Sequence, residues 1–170
     1  MKLLPLALLP LLLVSHISPI SETQTVSPVF PYQVTARRAL RVPIKYQATI
    51  EREAFLAKIP SEILARVIQA ESNWNPICTS INKNGTIDSG IAQLNSRYLD
   101  EFAWRYNLGK PIDAYNPEEA IRIACLHLAR LQSVTGNWRD TIASYNAGLT
   151  RVRTGNIPKT TEKYLGKVFE

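Results

Sequence analysis

This chain of 170 residues has few of the side chains that most often bind metal ions, with two histidines and two cysteines. His16 and His127 are isolated, and no group of histidines and cysteines has the spacing of a metal site. Internal repeats, heptads and known nucleic-acid-binding motifs are also lacking. The sequence therefore predicts no metal, no cofactor and no nucleic-acid partner, and it places His127 on the surface of a helix.

Acidic residues are in the minority, since 14 Asp and Glu residues stand against 20 Lys and Arg residues, and the formal net charge is +6. A basic protein suits an anionic polymer such as a cell wall, or a membrane surface. Because many basic proteins have no polyanionic partner, the charge alone does not choose between these classes.

The first 21 residues have the layout of a secretory signal peptide. One cation, Lys2, precedes an apolar run that ends at Val14, and small and polar residues follow. The apolar run is too short for a comfortable transmembrane span. We therefore expect residues 1–21 to direct export to the periplasm or the medium, with no other membrane contact. An uncleaved anchor is the alternative.

Export affects how the two cysteines are interpreted. An oxidising compartment permits Cys78 and Cys125 to pair, and we predict a disulfide between them. The alternative is one buried thiol on a helix and one thiol in a loop.

Glycine is absent before residue 85, whereas six of the 11 prolines lie within the first 43 residues. This shift in composition predicts a boundary. We interpret residues 22–45, which include Arg37, Arg38 and Arg41, as a basic, proline-rich linker. Residues 46–170 form one mainly α-helical domain. The predicted helices cover residues 49–59, 60–72, 96–106, 117–134, 138–146 and 160–169, and a small hairpin is predicted near residues 82–91.

Glu71 continues the apolar face of the predicted helix over residues 60–72. Ile63, Leu64, Val67 and Ile68 fall at helical spacing, and Glu71 follows Val67 by four positions. Burial disfavours a charged carboxylate and raises its pKa. An acid that stays protonated near neutral pH is what glycosidic-bond cleavage requires. On position alone, however, a solvated glutamate at a helix end is the more common case.

Three short stretches need a joint explanation: Glu71-Ser72 with Asn75-Pro76, the run from Asp88 to Asn95, and Ser-Tyr-Asn-Ala-Gly at 144–148. In this order they resemble the catalytic domain of the soluble, lysozyme-like lytic transglycosylases. The resemblance covers about residues 46–170 and includes Tyr164. It is strongest to small secreted members that accompany cell-envelope-spanning secretion systems.

The first two stretches also resemble the chicken-type lysozymes, in which an aspartate follows the catalytic glutamate after a turn-rich hairpin. Asp88 stands 17 residues after Glu71, which fits that pattern and supplies a possible second carboxylate. The Ser-Tyr-Asn-Ala-Gly stretch is a transglycosylase signature that those lysozymes lack. The resemblance therefore favours a lysozyme-like fold with transglycosylase activity.

The resemblance implies a role for each matching residue. Glu71 would be the catalytic acid and then the base, and peptidoglycan glycan strands the substrate of a monomeric enzyme. The residues implied to bind substrate are Ser72, Gly90, Gln93, Tyr145, Asn146 and Tyr164. Taken alone, these residues also fit structural roles in caps, turns and the core, and Asn95 fits a helix N-cap.

Two other functions remain open at this point. The first is a peptidoglycan hydrolase that uses Glu71 together with Asp88. The second is a non-catalytic component that binds the wall or assists assembly of a secretion apparatus. An intact acid on an apolar face argues against a pure binder, which has no need for it.

Overall fold

The computed structural model describes residues 40–169. The predicted signal peptide and residues 22–39 of the predicted linker lie outside the described residues. The helices in this part of the chain are α1 (Ile44–Ala57), α2 (Ser61–Ser72), α3 (Leu99–Arg105), α4 (Pro117–Thr135), α5 (Trp138–Ala147), α6 (Leu149–Arg153) and α7 (Lys159–Phe169). A 3₁₀ helix (Ser96–Tyr98) precedes α3. The mainly α-helical prediction is confirmed. None of the helices between residues 40 and 169 is both long and apolar enough to cross a membrane.

α4 is the central helix of the core. Its N-cap Asn116 accepts hydrogen bonds from the backbone N–H groups of Glu118 and Glu119, Pro117 occupies its first turn, and Gly136 ends it with a φ of +75°. These caps confirm the predicted limits of this helix. Its buried side chains are Ala120, Ile121, Ile123, Ala124, Cys125, Leu128 and Leu131, and it packs on α1, α2 and α5.

α1 begins earlier than predicted. Pro43 is its N-cap, and the helix starts at Ile44, so the last two residues of the predicted linker belong to α1. Tyr46, Ile50 and Ala54 recur every four residues and are buried against the core, which gives this helix its packing face.

The sheet has three antiparallel strands in the order β1 (Thr79–Ile81), β2 (Ile87–Ser89) and β3 (Leu94–Asn95). It is larger than the predicted hairpin because Thr79 pairs with Ser89 and Ile81 pairs with Ile87, which brings residues before 82 into the sheet. Gly85 turns the hairpin tip with a φ of +79°. The second hairpin, between β2 and β3, contains the short segment that organises the site described below.

The predicted disulfide is not formed, because Cys78 and Cys125 are both free thiols. Cys125 is buried on α4, where desolvation and the charge of Glu53 on α1 raise its pKa to about 12. Cys78 immediately precedes β1, where its carbonyl accepts a hydrogen bond from the Gly90 N–H. The two side chains belong to different parts of the fold, the core of the helical layer and the base of the hairpin. The alternative interpretation of two unpaired thiols is the correct one.

Candidate active site

Glu71 lies in the last turn of α2, a helix that packs on α1, α4 and α7. Leu64, Val67 and Ile68 on the same helix are fully buried, and the Glu71 side chain is half-buried. Burial raises the pKa of Glu71 from 4.5 to about 7. Both the protonated and the charged form of the carboxyl are therefore populated near neutral pH, which is the case that burial on the apolar face of α2 would produce.

Three neighbouring groups adjust this pKa, in decreasing order of influence. A hydrogen bond from Tyr164 lowers the pKa of Glu71, the negative charge of Asp88 raises it, and the positive charge of Lys167 lowers it. Glu71 also lies at the C-terminal end of α2, where unpaired carbonyl groups disfavour a further negative charge. Together these opposing influences leave the pKa of Glu71 close to neutral pH.

Tyr164 contacts Glu71 directly, and its hydroxyl donates a hydrogen bond to Glu71 Oε1 at 2.5 Å. This hydrogen bond joins α7 to the last turn of α2. Tyr164 is buried, and desolvation together with the nearby charge of Glu71 holds the pKa of its hydroxyl well above the usual value of 10. The phenol therefore stays protonated and acts as a fixed donor that orients the carboxyl group.

We expect Tyr164→Phe to change the pH dependence of the reaction as well as its rate. Loss of a donor to the carboxylate raises the pKa of Glu71 above about 7. If Glu71 reacts as an acid, activity falls as pH rises through this pKa, so the alkaline limb moves to higher pH. The maximal rate should drop roughly tenfold, the magnitude of a hydrogen bond to a charged group. A kcat/KM profile against pH tests this, and a lower rate with an unmoved limb would contradict it.

The segment Gly90–Ala92 brings the three sequence motifs together. The Ser72 hydroxyl donates to the Ile91 carbonyl at 2.7 Å, and the Tyr145 hydroxyl donates to the Ala92 carbonyl at 3.0 Å. The first motif on α2 and the third motif on α5 are therefore both anchored to the second. Ser72 and Tyr145, which the resemblance implied to bind substrate, use their hydroxyl groups as donors to the protein backbone.

Gly90 has a φ of +76°, and a Cβ added there would stand 1.7 Å from the Ala114 carbonyl oxygen. The close approach that this glycine allows is thus made by the protein's own backbone, in the loop before α4. A contact between Gly90 and substrate stays a prediction.

Gln93 is the donor and acceptor that holds the base of the sheet. Its amide nitrogen donates to the carbonyls of Cys78 at 3.1 Å and Gly90 at 2.9 Å, and its amide oxygen accepts from Ser80 at 2.9 Å. Its backbone has a φ of +48°, an uncommon conformation for a residue with a side chain. Both ends of the amide are therefore used within the protein, where they fix the shape of this part of the site, and the contact of Gln93 with a sugar stays a prediction.

Asp88 lies on β2 and is held by two asparagine side chains. Asn82 donates to its Oδ2 at 2.9 Å, and Asn95 donates to its Oδ1 at 2.6 Å. Asn95 also accepts from the Arg97 N–H, so its predicted N-cap role is confirmed for the 3₁₀ helix. Asp88 is near enough to act on the pKa of Glu71, but both of its oxygens are already engaged as acceptors.

Asn146, which the resemblance implied to bind substrate, accepts a hydrogen bond at its side-chain oxygen from the Thr161 hydroxyl at 2.9 Å. This hydrogen bond joins α5 to α7, the helix that carries Tyr164. Asn146 is exposed as a residue. Its role in the structure is therefore to fix the position of α7 against α5.

The prediction that His127 lies on the surface is wrong. Its ring packs between Phe102 and Tyr145, with ring centroids at 5.0 and 5.7 Å, and its Nδ1 is 3.0 Å from the Tyr106 hydroxyl. Residues of α3 and the turn after it cover this side of α4, which the helical pattern of α4 alone did not reveal. Desolvation lowers the pKa of His127 to about 4, so the ring is neutral near pH 7 and packs against the Tyr145 ring.

Lys167 is a second residue near the site that the sequence analysis missed. It stands three positions after Tyr164 on α7, a spacing that places two side chains on neighbouring parts of a helix surface. That spacing was the signal in the sequence that could have placed Lys167 near Tyr164.

Within residues 40–169, no three His, Cys, Asp or Glu side chains are grouped as they would be around a metal ion.

Comparison with known proteins agrees with this fold. The family described as Transglycosylase SLT domain matches residues 49–164, which is well over half of the chain. Protein IpgF of Shigella sonnei is 28% identical over 93 residues, which cover 53% of this chain and 59% of that protein. Protein IpgF of Shigella flexneri matches to the same extent. The chain thus belongs to the Transglycosylase SLT domain family, and its match spans less than two thirds of these relatives.

Solved structures show the same fold. An inactive mutant of the lytic transglycosylase Slt from Pseudomonas aeruginosa matches 74% of this chain and 23% of its own, with 22% identity and a TM-score of 0.61. The 70-kDa soluble lytic transglycosylase Slt70 from Escherichia coli matches 75% of this chain and 23% of its own, with 24% identity and a TM-score of 0.59. The similarity therefore concerns one domain of much longer proteins.

Proposed function

We propose that this protein is a peptidoglycan lytic transglycosylase that cleaves the MurNAc-β-1,4-GlcNAc bond without adding water. The observation that carries the proposal is the Glu71 carboxyl, whose pKa is raised to about 7 and which a fixed tyrosine donor orients. Membership of the Transglycosylase SLT domain family supports the same assignment. The product would be a 1,6-anhydromuramoyl end.

In the first step, protonated Glu71 donates its proton to the glycosidic oxygen as the bond from that oxygen to the anomeric carbon breaks. The carbonyl oxygen of the substrate's own N-acetyl group bonds to the anomeric carbon and takes up the developing positive charge. No protein nucleophile is needed. This agrees with Asp88, whose carboxylate oxygens already accept hydrogen bonds from Asn82 and Asn95.

In the second step, the 6-hydroxyl oxygen of the same muramoyl sugar attacks the anomeric carbon and displaces the N-acetyl oxygen. Glu71, now a carboxylate, takes the hydroxyl proton and returns to its starting form. A pKa of about 7 suits a group that must both donate and accept within one cycle. The Tyr164 hydrogen bond stabilises the carboxylate between the two steps.

The cellular setting belongs to the same proposal. The signal-like layout of residues 1–21 supports export to the periplasm or the medium, where peptidoglycan lies. The motifs resemble those of small secreted members of the family, and the chain is similar to protein IpgF over 59% of that protein. We propose that the enzyme acts as a monomer on glycan strands and serves a cell-envelope secretion apparatus.

The test is the mass of the soluble products released from purified peptidoglycan. Muropeptides lighter by one water than the corresponding reducing-end forms support anhydro closure. Reducing-end products would overturn the non-hydrolytic reaction and would favour hydrolysis.

Hydrolysis assisted by Asp88 is the second candidate, because the charge of Asp88 acts directly on the pKa of Glu71. If the substrate's N-acetyl group carries the stabilisation, we expect Asp88→Asn to lower turnover only moderately, by about tenfold, while products remain anhydro forms. Turnover on purified peptidoglycan is the measurement, with the exposed Asp100→Asn as the control. A loss as complete as that of Glu71→Gln would favour the hydrolase mechanism.

A further inference from the structure

The C-terminal part of the described chain is strongly basic. Residues 149–169 contain five cations and one acid, Glu162. That acid is already paired, since Arg139 Nη2 lies 2.6 Å from Glu162 Oε2. The surface formed by α6 and α7 therefore carries a positive charge that its own acidic residue does not neutralise.

Three of these cations form a row along α7, which we term the lysine row: Lys159, Lys163 and Lys167. They are spaced four residues apart, so they lie above one another on the helix, and all three are exposed. None of them belongs to an ion pair among residues 40–169. Like charges at this spacing destabilise a helix, and Lys159 stands at the N-terminal end, where a cation is unfavourable. Helix stability thus does not account for the row.

The row runs beside the candidate catalytic acid. Tyr164, adjacent to Lys163 in sequence, donates to Glu71, and Lys167 follows one turn later with its charge acting on the same carboxyl. An extended anionic group bound along the row would therefore start close to the reacting sugar. An anionic ligand would also relieve the repulsion between the three lysines.

The chemistry of peptidoglycan supplies such a group. Its sugars are uncharged, and its carboxylates lie on the short peptides attached to the 3-oxygen of muramic acid. The muramic acid that reacts at its anomeric carbon thus carries a peptide on the same ring. We propose that the lysine row binds the carboxylates of this peptide and so makes peptide-bearing glycan the preferred substrate. The inference rests on the proposed function, because it assigns the substrate recognised beside Glu71.

Binding can test the row without catalysis. We would use the full chain with Glu71→Gln, so that the wall is not cut, and measure co-sedimentation with purified peptidoglycan at low salt. A matched sample of the same wall would have its carboxylates converted to neutral amides by carbodiimide coupling to ethanolamine. We expect the untreated wall to bind about tenfold more tightly, the effect of a few exposed charge pairs. Replacing the row by Lys159→Gln, Lys163→Gln and Lys167→Gln should remove this preference.

The control removes the same charge elsewhere, through Lys45→Gln, Lys58→Gln and Arg122→Gln, which are exposed on or beside α1 and α4. The preference for untreated wall should survive in this control. An equal loss in both triple variants, or an unchanged preference in the row variant, would overturn the inference. Loss of binding to phosphatidylglycerol vesicles with unchanged wall preference would also overturn it and assign the row to lipid. Failure of the proposed function is seen separately, as an absence of anhydro products from the unsubstituted enzyme.

Discussion

Glu71→Gln is expected to abolish cleavage of purified peptidoglycan while leaving binding to the wall largely intact. The amide retains the size of the side chain but can neither donate nor accept the catalytic proton. Loss of general acid–base catalysis costs about 10²–10⁴-fold, and here one group performs both steps. Release of soluble muropeptides is the measurement. Turnover unchanged from that of the natural sequence would remove Glu71 from the mechanism and leave the non-catalytic wall binder as the better account.

Two controls make this result interpretable. Glu51→Gln makes the same chemical change on the exposed surface of α1 and should keep full turnover. The second control is the stability of the variant, and the pKa of Glu71 predicts how that stability should depend on pH. Since the folded-state pKa of about 7 exceeds the ordinary 4.5, the folded state binds the proton more tightly than the unfolded state. Glu71 therefore reduces the free energy of unfolding as pH rises from about 4.5 to about 7.

Glutamine has no such titration, so Glu71→Gln should become more stable than the natural sequence as pH increases. The difference in free energy of unfolding between the two proteins should be small near pH 4 and reach about 1–3 kcal/mol at pH 8. This range allows for solvent screening, because the side chain is partly open to solvent. Denaturant unfolding at the two pH values measures it. A Gln variant that is less stable at pH 8 would show that inactivity came from damage to the fold.

Gly90→Ala is expected to cause the largest loss of stability among single changes near the site. The new Cβ would stand 1.7 Å from the Ala114 carbonyl oxygen, and the φ of +76° is itself unfavourable for alanine. The backbone would have to move, and with it the Ile91 and Ala92 carbonyls that hold Ser72 and Tyr145. Stability and turnover should therefore fall together.

Gly85→Ala separates backbone conformation from collision. Gly85 has a φ of +79°, but a Cβ added there meets nothing within 4 Å. Gly85→Ala should therefore lower the free energy of unfolding by about 1–2 kcal/mol, which is the cost of the left-handed conformation alone. Gly90→Ala adds an overpacking cost of about 1–3 kcal/mol, which should lower its Tm by roughly 3–10 °C more than Gly85→Ala does. Equal melting temperatures for the two variants would contradict the close packing at Ala114.

Local signals in the sequence predicted the parts of the fold that depend on local chemistry. Asn116, Pro117 and Gly136 predicted the limits of α4, and the apolar face of α2, taken together with the family resemblance, favoured a buried Glu71 with a raised pKa. These features need only the spacing of residues within one helix. The hydrogen bond between Tyr164 and Glu71 spans 93 positions. Family resemblance singled out both residues, but local spacing could not pair them.

Contacts between distant segments were harder to predict. The Ala114 carbonyl that occupies the space beside Gly90, and the rings that cover His127, come from loops and helices that only the folded chain brings together. The same is true of Gln93, whose amide nitrogen donates to the carbonyl groups of Cys78 and Gly90. Residue type indicated the polar group, and the tertiary structure decided what it binds.

The most direct test of the central claim is the titration of the Glu71 carboxyl in the folded protein. Carbon NMR of protein labelled at the glutamate carboxyl carbons, assigned by comparison with Glu71→Gln, gives this pKa. The account predicts a pKa of about 7, because burial raises the pKa and the hydrogen bond from Tyr164 partly lowers it again. A value near 4.5 would mean a charged carboxylate at neutral pH, and Glu71 could then not supply the first proton.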